Sequence, residues 1–233
     1  MLLTQEREAI QSGGLGQGGD FTIAASAKAF EVLSSNLYQN KTLAVIREIT
    51  CNAADAHTAA GLPLSSIKVH IPTYGEPHFS VRDFGSGLSV PDVMSLYTTY
   101  FRSTKDADNT QIGGFGLGSK SPFAVADQFT VTSWHGGQRH DFICYKDGGL
   151  PRVNHVGSAP SPEPTGLLVQ VAAKSVSDWH MEARRFFSWW TTLPEITGID
   201  TTSFTNPLSK TMLRSKVEHN GYPDWAILPN DIF

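Results

Sequence analysis

The sequence predicts an α+β sandwich. Apolar residues recur at helical spacing early in the chain, and alternating, strand-like runs follow them. Helices thus precede strands instead of alternating with them, which disfavours a doubly wound parallel sheet, and no internal repeat is apparent. With 233 residues, 40% of them hydrophobic and 17% charged, the chain can bury one core with a small appendage.

The elements read off in order. Residues 1–20 form a flexible N-terminal arm, because the run QSGGLGQGGD over 11–20 gives an ordered state a high entropy cost. Helical spacing runs from Ala24 to Tyr38 and again from Thr42 to Ala60, where Gly61 and Pro63 supply a stop. Ile67–Ile71 and His78–Asp83 alternate as half-buried strands, joined through Pro72–Pro77. Pro91 near a helix start predicts a third helix over Val90–Phe101, and Arg102–Gly118 lacks any hydrophobic period, as a loop or lid would. QFTVTSW, RHDFICYK and GLLVQVA are three more strands joined by turn-rich segments, followed by a helix around Trp179–Trp190. Thr191–Phe233 carries no clear pattern.

The net charge of -4 gives no global attraction to nucleic acid or anionic membranes, so no direct nucleic-acid binding is expected. Cys51 and Cys144 lie far apart without metal-type spacing and read as reduced thiols. The start, MLLTQEREAI, is neither a secretory signal nor a membrane span, and the chain is read as cytoplasmic with no membrane insertion.

Three constellations could carry chemistry. In REITCNAADAH, Glu48, Asn52 and Asp55 are spaced four and then three residues apart, which sets them on one helical face. Taken alone, that stripe reads more readily as a solvated polar face. As a site it suits a hard cation, because an amide oxygen is a good Mg²⁺ ligand, and Glu48 could deprotonate a water. In DFGSGL, Asp83 ends a strand, and Gly85 and Gly87 let the backbone turn and approach a ligand closely. A carboxylate fixed there could accept from an exocyclic amine such as that of adenine. Asp83-Phe84-Gly85 also spells a kinase magnesium motif, but no H-R-D loop or V-A-I-K strand accompanies it. In IGGFGLGSKSPF, Gly113, Gly114, Gly116 and Gly118 precede Ser119, Lys120 and Ser121. Free backbone N–H groups and a lysine make a phosphate cradle, though not a Walker A loop, since Ser119 stands where that motif needs glycine. Gly14, Gly16 and Gly19 match a dinucleotide fingerprint without the preceding strand, and His57, His70, His78, His135 and His140 lack metal-ligand spacing.

The order of the three constellations resembles the GHKL superfamily of ATPases, the gyrase, heat-shock chaperone, histidine kinase and MutL type. The corresponding stretches are Glu48 through Ala56, Asp83 through Gly87 and Gly113 through Gly118, and IGGFGLG is most like the chaperone lid. Within the superfamily the sequence looks most like phage rIIA-like proteins, through LAVIREITCNAADAH, VRDFGSGLS, FRSTK and GGFGLGSKSPF, over roughly residues 20–175.

The resemblance implies a Bergerat-type two-layer sandwich, with a mixed, mostly antiparallel sheet covered by helices on one face. The ATP-binding domain would span 21–175, and a C-terminal helix and extension 176–233. It implies ATP and Mg²⁺ as cofactors, with Glu48 as catalytic general base, Asn52 as magnesium ligand and Asp83 as adenine reader. Gly113, Gly114, Phe115, Gly116, Leu117, Gly118, Ser119 and Lys120 would form the phosphate lid, with Asp55, Gly85 and Gly87 supporting the pocket. The family's Gly-Thr before a late strand is altered to Thr165-Gly166-Leu167, and Thr165 is assigned to the adenine-side network. Gyrase and MutL relatives place a further domain after this one, whereas the stretch after Ser175 is far shorter than an ordinary domain of about 100 residues. Slow turnover is therefore expected. The reading is a phage-encoded Mg-ATP-binding switch with weak ATPase activity, acting on a protein partner of host or phage origin, with a homodimer as one arrangement. A non-catalytic module that binds and inhibits a host factor is the alternative.

Overall fold

A computed structural model describes residues 27–32, 38–99, 118–202 and 204 of the chain. In order these form α1 (Ala27–Glu31), α2 (Lys41–Ala60), β1 (Lys68–His70), β2 (His78–Arg82), α3 (Val90–Thr98), β3 (Gln128–His135), β4 (Gln138–Asp147), β5 (Leu150–Pro160), β6 (Gly166–Ala172), α4 (Val176–Phe187) and β7 (Glu195–Thr197). Short 3-10 turns occupy Leu64–Ser66 and Gly118–Ala124.

Local chemistry explains the helix limits. The Asn40 side chain accepts the Leu43 N–H at 3.0 Å, satisfying one of the orphan amides at the start of α2. Gly61 adopts φ 67°, and its N–H and that of Leu62 return to the last carbonyls of the helix. Ser89 caps α3 with Pro91 in its first turn, and the Ser175 hydroxyl caps α4 through the Asp178 N–H.

Among the described residues the sheet has seven strands in the order β5-β4-β3-β6-β2-β1-β7, antiparallel throughout except for β1 beside β7. Register aligns its apolar face in rows: Val69, Val81, Val169, Val131 and Phe142 in one, and Phe79, Val171, Phe129 and Cys144 in the next. These residues are buried in one core with Val45, Ile46 and Ile49 of α2 and Trp179, Ala183, Phe186 and Phe187 of α4. Phe79 and Trp179 stack with centroids 4.8 Å apart, joining sheet to α4. On the alternate positions Ser80, Gln170 and Thr130 stay at least partly exposed, as a two-layer sandwich requires. The mixed, mostly antiparallel α+β sandwich is thus the one the sequence predicts.

Two strands have no counterpart in the sequence reading. β5 spans LPRVNHVGSAP, where Pro151, Gly157 and Pro160 hide the pattern of a strand. Those residues are tolerated because, among the described residues, β5 lies at the sheet edge and pairs with β4 alone. β7 is three residues long and depends on β1 for its pairing. Of the helix expected over Ala24–Tyr38, the described residues hold α1 and, outside it, Tyr38, whereas 24–26 and 33–37, like the arm and residues 100–117 and 205–233, lie outside the described residues.

Candidate functional site

α2 buries Ile46, Ile49, Ala53 and His57 on its core side, and the same periodicity turns Glu48, Asn52 and Asp55 outward. Asn52 is exposed, while Glu48 and Asp55 are partly buried. Glu48 Oε1 meets Arg47 Nη2 at 2.7 Å, an ion pair whose arginine is 52% exposed and so contributes little to stability. Nearby, burial first and the Glu48 charge second hold the Tyr38 phenol above its ordinary range.

Asp83 follows β2 and is 6% exposed. Burial raises its carboxyl above the ordinary value, opposed by the amides of Gly85 and Leu167 and then by the Arg82 charge. Three consecutive N–H groups here each have a partner. Asp83 donates to Leu167 O at 2.9 Å, Phe84 to His57 Nε2 at 2.8 Å, and Gly85 to Asp83 Oδ1 at 2.9 Å. Gly85 sits against α2, since a Cβ there would lie 3.0 Å from Ala56 Cβ. Gly87 has φ +66°, and a Cβ would overlap the Trp134 carbonyl. Glycine is required at both places, for contact at the first and for backbone conformation at the second.

Arg82 secures the other side of this turn. Its guanidinium is sandwiched between Trp134 and Phe84, 4.0 and 4.6 Å from the ring centroids. It donates to the carbonyls of Asp83, Pro164 (2.6 Å) and Thr165 (3.3 Å). Thr165 therefore enters the neighbourhood through its backbone oxygen, with an exposed side chain, and Gly166, not Thr165, packs directly on the Asp83 carbonyl. Sequence reasoning passed over His57, Arg82 and Trp134. Each has a partner distant in sequence, and only the placement of Arg82 beside Asp83 hinted at its role.

The described residues resume within the expected lid at Gly118, where a Cβ would fall 2.5 Å from Glu48 Oε2. α2, the Asp83 turn and the Gly118 end therefore converge. Gly113, Gly114, Phe115, Gly116 and Leu117 lie outside the described residues, and Ser119 is partly buried. Lys120 departs from its expected place in a phosphate cradle. It is 1% exposed, and its Nζ donates to Leu96 O and Thr99 O, both at 2.7 Å, closing the C-terminal carbonyls of α3.

Burial pulls the Lys120 ammonium down from 10.5 to about 8, with Cys144 opposing. A depressed lysine contributes stability that is present above its unfolded value and is lost as pH falls through the folded one. The unfolding free energy of the parent relative to Lys120→Met should accordingly rise from pH 7 to pH 10, measured by urea denaturation. A gap that is flat across that range would show that the ammonium is not desolvated.

Among the described residues no helix is long and apolar enough to cross a membrane, and no group of three His, Cys, Asp or Glu side chains is placed to hold a metal ion.

Comparison with known proteins agrees with this geometry. Residues 40–146 match the family of histidine kinase-, DNA gyrase B-, and HSP90-like ATPases. The chain is 29% identical over 147 residues to the chaperone protein HtpG of Rickettsia bellii, covering 54% of this chain and 24% of the chaperone. It is 25% identical over 188 residues to HtpG of Methylorubrum extorquens, covering 70% and 29% respectively. The chain spans about a quarter of the length of these relatives. The matched residues contain α2, the Asp83 turn and the Gly118 end, so the part of the chain that is similar to these GHKL-type, nucleotide-binding ATPase domains is the part that carries the candidate site.

Proposed function

We propose that the protein binds Mg-ATP and hydrolyses it slowly, using the nucleotide as a switch on a protein partner. The observation that carries this is the meeting of the Glu48-Asn52-Asp55 face with the buried Asp83 turn through Gly85 on Ala56. The residues fit the group. Asn52 is exposed and offers an amide oxygen to a hard cation that keeps phosphates and waters as its other ligands. Asp83 offers a buried acceptor, oriented by the Gly85 N–H, to the exocyclic amine of adenine.

Bound Mg²⁺ supplies charge neutralisation for the phosphates. Glu48 is the base that takes a proton from the attacking water, and Gly118 keeps side chains away from its carboxylate. Slow turnover is favoured by Lys120, whose ammonium is engaged on the α3 carbonyls. Stabilisation of transferring phosphoryl charge is worth about a thousandfold or more when a cation supplies it. The kinship to phage rIIA-like proteins, supported by the motifs, is part of the same proposal, as are a cytoplasmic setting, a homodimer, a partner of host or phage origin, and the 21–175 and 176–233 division.

Adenine presents Asp83 with a donor where guanine presents an acceptor, and an unpaired buried acceptor costs about 1–3 kcal/mol. Calorimetry in Mg²⁺ should therefore show tighter binding of ATP than of GTP, by about tenfold or more. Equal affinities, or no binding of either nucleotide, would refute the site.

A further inference from the structure

His57 lies in the last turn of α2 with none of its surface exposed, and its two ring nitrogens meet partners of opposite kind. Nδ1 is 2.9 Å from Pro63 O, which can only accept, so Nδ1 carries the proton. Nε2 is 2.8 Å from the Phe84 amide, which can only donate, so Nε2 presents its lone pair. The partners thus fix one neutral tautomer. Ser66 Oγ donates to the same Pro63 carbonyl at 2.8 Å and holds it in place.

The neighbouring amides end elsewhere: that of Asp83 on β6 and that of Gly85 on the Asp83 carboxylate. Of these three successive amides, the middle one runs to the helix that bears Glu48 and Asn52. We propose that His57 is a positioning residue for nucleotide recognition, tying the Asp83–Gly85 turn to α2. The base-reading carboxylate and the phosphate-side residues are thereby held in one frame. The inference rests on the Mg-ATP reading above.

A leucine at 57 fills the space but leaves the Phe84 N–H without its acceptor. A glutamine reaches about as far as Nε2, and its side-chain oxygen can accept the same bond. The test uses the full chain and its His57→Leu and His57→Gln variants. It measures Mg-ATP and Mg-GTP affinities by calorimetry, and amide hydrogen exchange at Phe84 without nucleotide. His57→Leu should weaken ATP binding by about tenfold, narrow the preference for ATP over GTP and deprotect the Phe84 amide. His57→Gln should restore most of all three. A purely structural defect would lower the folded fraction and scale both nucleotides alike, leaving their ratio unchanged. If the leucine variant does not fold, His57→Asn replaces it, since the shorter amide keeps the Pro63 contact and drops the Phe84 one. ATP affinity and selectivity equal to the parent in a folded variant that lacks the Phe84 acceptor would overturn the proposal. A parent that binds neither nucleotide would instead overturn the Mg-ATP reading, and the role in recognition with it, even if Phe84 protection responds to the substitutions as described.

Discussion

Glu48→Ala should abolish most ATP hydrolysis while leaving Mg-ATP binding close to that of the parent. Removing a general base typically lowers the rate by about 100 to 10,000-fold. Binding should survive because Glu48 is assigned to the water, whereas Asn52 and Asp83 hold the nucleotide. The fold should survive as well, since the Arg47 partner of Glu48 is half-exposed and the pair contributes under about 1 kcal/mol. Steady-state phosphate release and calorimetry on the same preparation separate the two effects. Hydrolysis by Glu48→Ala at the parental rate would remove Glu48 from the mechanism.

Asp83→Asn should act in the opposite sense, losing ATP binding by about 10 to 150-fold, since a hydrogen bond to a charged group contributes about 1.5–3 kcal/mol. Its effect on stability has a sign set by burial. The folded-state value of Asp83 is raised above 3.8, so the stability linked to its protonation is full below the unfolded value and is lost as pH rises through the folded one. Asparagine carries no such charge, and its amide oxygen can still accept the Gly85 N–H. The stability of Asp83→Asn relative to the parent should therefore improve from pH 4 to pH 7, read by urea unfolding, even as nucleotide affinity collapses. Loss of affinity with a stability gap that does not change with pH would mean that the carboxylate is not held in a desolvated place.

The Asp83 result bears on why the site is built as it is. A carboxylate that costs stability when ionised is retained where a ligand donor repays that cost, and the surrounding amides of Gly85 and Leu167 reduce it. Arg82 and His57 hold the same turn from β2 and α2, so its geometry is set before any ligand arrives.

The i, i+4, i+7 spacing of Glu48, Asn52 and Asp55 determined their common face, because the period of a helix is local and its apolar side was already marked by Ile46, Ile49 and Ala53. The alternation in HFSVRD, QFTVTSW and GLLVQVA determined strands in the same way, and their count and spacing determined an α+β sandwich. Glycine at 85 and 87 marked a backbone that must turn tightly, though not what it turns against. What only the tertiary structure decided is everything that depends on partners far apart in the chain. β5 became a strand despite Pro151 and Pro160 because β4 offered it an edge. Lys120, read as a phosphate ligand from its glycine-rich neighbours, was taken by the carbonyls of Leu96 and Thr99, since a buried ammonium needs acceptors and a helix end supplies them. His57 acquired its two partners only when Pro63 and Phe84 closed on opposite sides of one ring. Periodicity carries the first kind of information along the chain, whereas the satisfaction of buried polar groups is settled by whichever residues the fold brings within about 3 Å.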